Sequence, residues 1–145
     1  MRTRISITTA SLAILLATAS PAHAAGDQAC VLNLDTGVLT CGPAGPSPMA
    51  ASYVLATLYT NANYAGSSLA LQASTPCDTN ADTDHSWATL PTGFADEVSS
   101  FKGANNCQIK LFEHTTYGGT SLGPLTSTTY VGDTINDKAS SIQLS

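Results

Sequence analysis

The sequence predicts an all-β domain made of two copies of one strand-rich unit, packed face to face as a sandwich. Three observations carry this. First, LYTNANYAGSSL (58–69) recurs as LFEHTTYGGTSL (111–122), and ADEVSSF (95–101) recurs as NDKASSI (136–142), in the same order. Second, 53–59, 98–101, 108–112 and 140–144 are short runs rich in β-branched, aromatic and aliphatic residues, separated by glycine-containing turns. Third, no stretch sustains a 3.6-residue apolar period with caps. One unit alone leaves a sheet face bare, whereas two bury both faces.

The chain divides into three parts. Residues 1–24 read as a signal peptide: Arg2 and Arg4 open it, ASLAILLA (10–17) is its apolar run, and Ala22-His23-Ala24 is a small-x-small cleavage site. That run is too short to span a bilayer, which takes about 20 apolar residues. Residues 25–51 combine a hairpin with a linker, GPAGPSPMAA (42–51), whose prolines and glycines oppose regular structure. The main domain is 52–145. The expectation is an exported, extracellular protein with no membrane anchor.

Charge narrows the partners. Once both arginines leave with the signal, Lys102, Lys110 and Lys138 face all ten carboxylates. Nucleic-acid binding needs a basic patch, and this surface repels phosphate. Hard cations are its natural partners.

Four cysteines in an exported chain read as two disulfides, with three connectivities to choose from. A hairpin turning at Asp35-Thr36 places Cys30 opposite Cys41, about 5 Å apart, within the reach of a disulfide. Cys77–Cys107 follows by elimination. No C-x-x-C spacing points to zinc.

The repeated aromatic–x4–aromatic–x–Gly element, Tyr59…Tyr64-Ala65-Gly66 and Phe112…Tyr117-Gly118-Gly119, belongs at a strand junction. A sharp fold there needs a positive φ, which glycine accepts, and the tyrosine ring can cover the folded hairpin. Tyr64, Gly66, Tyr117 and Gly119 are therefore structural.

With the serine-ended strands that follow, this element resembles the βγ-crystallin Greek-key motif, present twice over residues 52–145. The resemblance implies a fold of two Greek-key motifs forming a β-sandwich, preceded here by the disulfide-closed hairpin. It also implies calcium as the bound cofactor. The family's calcium stretch, [Asn/Asp]-[Asn/Asp]-x-x-[Ser/Thr]-Ser, is matched at every position by Asn136-Asp137-Lys138-Ala139-Ser140-Ser141. Ala95-Asp96-Glu97-Val98-Ser99-Ser100 departs only at Ala95, so the two sites should be unequal. Carried over by position, Glu97 and Lys138 supply backbone carbonyls and Ser99 and Ser140 supply hydroxyls. Asp96 and Asp137 each cross to the opposite site, and Thr60 and Glu113 add carbonyls from the folded hairpins. Ser100 and Ser141 hydrogen-bond the turn. Such a set suits calcium, which takes six to eight oxygens at about 2.3–2.6 Å. The bland alternative is that Asp and Ser before a strand merely form turns.

Other features point elsewhere or nowhere. Asp78 to Asp84 (DTNADTD) starts like an EF-hand loop, but Thr83 stands where glycine is required and Thr89 where the bidentate glutamate belongs, so it reads as a solvated acidic loop. His85 and His114 read as surface histidines, and Trp87 as a core or loop anchor with sugar stacking as the lesser alternative. No G-x-S-x-G context presents a nucleophile, and the expectation is a non-enzyme. The leading reading is a calcium-binding protein stabilised by its ion. The alternatives are a proteinase inhibitor on the same kind of fold, with a protease as protein partner, or a cell-wall-glycan-binding or antimicrobial module.

Overall fold

The structure, a computed structural model, describes residues 26–42 and 52–145. The predicted signal peptide and most of the Pro/Gly-rich linker lie outside the described residues.

The N-terminal hairpin is β1 (Ala29–Asn33) and β2 (Leu39–Gly42). The first repeat supplies β3 (Tyr53–Asn61), β4 (Ala65–Ala73), β5 (His85–Trp87) and β6 (Ser100–Gly103). The second supplies β7 (Ile109–Phe112), β8 (Ser121–Leu125), β9 (Ser127–Thr128) and β10 (Ser141–Leu144). Helical backbone among the described residues is confined to single 3-10 turns at Ala62–Tyr64 and Thr115–Tyr117.

One sheet runs β2-β1-β4-β3-β6-β9 and the other β5-β10-β7-β8. Each repeat therefore lends its third strand to the other repeat's sheet, β9 pairing with β6 and β5 with β10. This is the double Greek key of the βγ-crystallin type. The exchange joins the repeats through backbone hydrogen bonds as well as side-chain packing.

Side-chain alternation sets the two inner faces. Ile109 and Leu111 of β7 are fully buried while Lys110 between them points outward. With Ile142 and Leu144 they meet Leu58, Leu69, Leu71 and Phe101 of the opposing sheet, all completely buried. Truncating one of these to alanine should cost about 2–5 kcal/mol.

The hairpin belongs to the same sheet. β1 runs parallel to β4 from Ala29↔Ser68 to Asn33↔Gln72, and it sinks Cys30 and Leu32 into the core. Asn33 Oδ1 accepts the amides of Asp35 and Thr36 and shapes the turn. At Gly37 (φ +73) an added Cβ would lie 3.3 Å from the Trp87 ring, so the turn abuts the edge strand of the other sheet.

Both disulfides pair as expected. Cys30 and Cys41 are register partners with Cα atoms 4.0 Å apart. Cys77–Cys107, Cα atoms 5.0 Å apart, ties the long β4–β5 loop to the turn before β7. That loop contains the extra length of the first repeat.

Candidate metal centres

Each centre begins at a folded corner. After β3 the chain reverses through Asn63 (φ 59), Tyr64 (φ 63) and Gly66 (φ +77); after β7 it repeats this with Thr116 (φ 54), Tyr117 (φ 63) and Gly119 (φ +75). Positive φ thus extends beyond glycine to the tyrosines, a strain the surroundings must hold. A Cβ on Gly66 would collide with the Thr60 and Asn61 side chains, so only glycine fits. Tyr59 and Tyr64 pack with ring centroids 5.7 Å apart, and Phe112 and Tyr117 at 5.8 Å.

Ser100 and Ser141 brace the corners from below. The Ser100 Oγ accepts the Tyr64 amide at 3.0 Å and donates to the Asn61 carbonyl at 2.6 Å. Ser141 does the same with the Tyr117 amide and the His114 carbonyl, at the same distances. Both serines are completely buried, so these hydrogen bonds replace hydration that the site excludes.

The loops before β6 and β10 bring the remaining residues in. Asp96 (φ 59) and Asp137 (φ 55) sit in the left-handed region, which Asp tolerates better than most residues. Their amides bond across the repeats: Asp96 N–H to the Ala139 carbonyl at 2.9 Å and Asp137 N–H to the Val98 carbonyl at 3.3 Å. Each aspartate is thereby carried to the other repeat's serine.

In the first centre the Ser99 Oγ lies 3.0 Å from the Thr60 carbonyl oxygen and 3.3 Å from Asp137 Oδ1. The Ser99 amide donates to the Tyr59 carbonyl at 2.9 Å and holds the serine against the corner. In the second, Ser140 Oγ lies 2.8 Å from Asp96 Oδ1, with its amide on the Phe112 carbonyl at 2.9 Å. Asp96, Glu113, His114, Asp137, Lys138 and Ser140 line one open hollow here. Glu97 and Lys138 lie in the chain between the crossing aspartate and the serine.

This arrangement fits a hard cation. Neighbouring oxygens around an ion at about 2.4 Å are roughly 3 Å apart, the spacing seen at Ser99. A hydroxyl has one proton, so Ser99 can satisfy either the Thr60 carbonyl or the Asp137 carboxylate, leaving one close oxygen pair without a proton between them. A cation attracts all three. Among the described residues no group of three or more His, Cys, Asp or Glu side chains forms a metal cluster. Carbonyls, hydroxyls and water would complete either shell.

The two centres differ in detail. The Asn136 Nδ2 donates to Asp137 Oδ2 at 2.7 Å, while its own buried Oδ1 has no hydrogen-bond partner among the described residues. At the corner, the Thr60 Oγ1 accepts the Ser67 amide at 3.0 Å; Glu113 Oε2 accepts the Thr120 amide at 3.1 Å. Hydrogen bonding from Thr120 holds the Glu113 carboxyl below its ordinary value, and the charges of His114 and Lys138 add to this, against a partial loss of hydration. Two of these features escape a reading of the motif alone. The contact between Asn136 and Asp137 needs a turn to become visible, and His114 is exposed yet lines the second hollow.

The acidic 78–84 loop uses its oxygens on its own backbone: Asp84 Oδ2 accepts the Asp78 amide, Asp78 Oδ1 the Asn80 amide, and Asn80 Oδ1 the Asp82 amide. Trp87 packs partly buried against the core.

A family model described as peptidase inhibitor family I36 matches residues 58–123, under half of the chain. No curated protein matches. Among solved structures, the chain is similar to a double mutant of a βγ-crystallin domain from Clostridium beijerinckii, at 26% identity and TM-score 0.49, covering 63% of this chain and 97% of that one. A βγ-crystallin domain from Flavobacterium johnsoniae follows at 22% and 0.47, covering 63% and 93%. The N-terminal domain of Protein S gives 16% and 0.48, covering 63% and 94%.

Proposed function

We propose that this is a secreted, non-enzymatic calcium-binding protein whose ions stabilise its double Greek-key fold. The observation that carries the reading is the oxygen triad at Ser99, where a hydroxyl, the Thr60 carbonyl and the Asp137 carboxylate from the other repeat crowd together. The Ser140–Asp96 pair repeats the crossing contact. Two disulfides agree with an oxidising compartment, and the excess of carboxylates over lysines in 25–145 favours cations. Because each aspartate comes from the opposite repeat, an ion would join the repeats. A ligand at a hundred times its dissociation constant adds about 2.7 kcal/mol to the folded state.

The test is calorimetric calcium titration of EDTA-stripped mature protein, with Asp137→Ala and Asp96→Ala as controls. Two unequal events, each weakened by the matching substitution and joined by a raised melting temperature, are expected. No heat and no thermal shift up to millimolar calcium would reduce the motifs to turns.

A second reading, peptidase inhibition, is favoured by the family match over 58–123. Calcium-free protein assayed against a metalloprotease and a serine protease separates the two. Inhibition without calcium dependence would bring this second reading forward.

A further inference from the structure

We infer that the two centres fill in a fixed order, Thr60–Ser99–Asp137 before Glu113–Ser140–Asp96, because one loop, 136–138, braces the acid of the first and sets a lysine at the edge of the second. This rests on the calcium reading above. The repeats align residue for residue here, so each difference between them acts as a substitution already made.

The first difference is Asn136 against Ala95. The Asp137 carboxylate is braced at Oδ2 by the Asn136 amide at 2.7 Å, while its Oδ1 lies 3.3 Å from Ser99 Oγ. One end is therefore held before any ion arrives. Ala95 has no polar atom to offer Asp96, so the acid of the second centre lacks the equivalent brace. Outer-shell hydrogen bonds of this kind are worth roughly 10–100-fold in metal affinity.

The second difference is Lys138 against Glu97. Lys138 lines the second hollow beside Asp96, Glu113 and Ser140, and its Nζ reaches the Asp133 carbonyl at 3.4 Å. Its charge acts on Glu113 and so opposes a divalent ion at this centre, whereas the first repeat carries an acid, Glu97, at the equivalent position. Asp96, Glu113 and Asp137 line the same hollow, so Lys138 weakens its negative field without reversing it.

The experiment is a calcium titration of the 15N-labelled mature protein, following the backbone amides of Thr60 and Ser99 separately from those of Glu113 and Ser140. The Thr60/Ser99 set should complete its shift at lower calcium. Lys138→Gln, which keeps the backbone carbonyl, should tighten the second centre roughly threefold, the size of a screened surface repulsion. Asn136→Ala should weaken the first centre roughly tenfold, with melting in EDTA confirming that each variant folds. Both sets moving together, the Ser140 set moving first, or no response to Lys138→Gln would overturn the order while leaving calcium binding intact. No shift in either set up to millimolar calcium would overturn both.

Discussion

Ser99 and Ser100 are adjacent, yet the structure assigns them opposite consequences, and replacing each by alanine should separate folding from ion binding. The Ser100 Oγ is completely buried and bridges the Tyr64 amide and the Asn61 carbonyl. Removing it strands both groups in a corner already strained by positive φ at Asn63 and Tyr64. A buried group left unsatisfied costs about 1–3 kcal/mol. Because Asn61 is exposed, water can reach its carbonyl more easily, so about 2 kcal/mol is expected in total. At about 4–8 °C per kcal/mol for a domain near this size, Ser100→Ala should melt roughly 8–16 °C lower with or without calcium. The Ser99 Oγ instead sits among two acceptors it cannot satisfy together. Without calcium, Ser99→Ala loses at most one hydrogen bond, about 1 kcal/mol. With calcium it loses a ligand. If affinity falls tenfold, an ion that added about 2.7 kcal/mol adds about 1.4 kcal/mol instead. Thermal melts of the three proteins in EDTA and in saturating calcium read both quantities. If Ser99→Ala is as damaging as Ser100→Ala in EDTA and keeps the full calcium increment, the Ser99 triad is a structural corner and the reasoning fails.

Three further outcomes follow from the same geometry. Gly119→Ala would force a side chain into the left-handed region with its Cβ 2.8 Å from the His114 ring and 3.1 Å from Glu113 Cβ; a loss of about 2 kcal/mol or more by chemical denaturation is expected. Glu113 has a folded-state carboxyl below 4.5, so its contribution is present above that pH and is lost as pH falls through the folded value. Glu113→Gln should therefore flatten the acid side of a melting-temperature profile, and an unchanged slope would count against the Thr120 contact. Loop closure makes Cys77–Cys107, spanning 30 residues, the stronger staple at about 3.7 kcal/mol, against about 2.8 kcal/mol for Cys30–Cys41 spanning 11. Because the turn at Gly37 abuts Trp87, the single tryptophan, Cys30→Ser/Cys41→Ser should shift tryptophan fluorescence.

The repeat, the all-β class and the Cys30–Cys41 pairing were legible in the chain itself, because each depends on local spacing, and Cys77–Cys107 followed by elimination. Aromatic–x4–aromatic–x–Gly encodes a corner within a dozen residues, and alternation in Ile109-Lys110-Leu111 states which side chains face inward. Opposed positions in one tight hairpin bring Cys30 to Cys41 without help from the rest of the fold. Tertiary structure decided the matters that depend on distant neighbours. A strand's period of two says which face is apolar but not which strand lies beside it. The exchange of β5 and β9 between sheets and the parallel seat of β1 on β4 are set by backbone edges far apart in sequence. The site divides in the same way. The Asp and Ser types stand in the motif, whereas the hand-over of Asp96 to Ser140 and of Asp137 to Ser99, and the hold of Asn136 on Asp137, exist only once the two loops meet across the repeats.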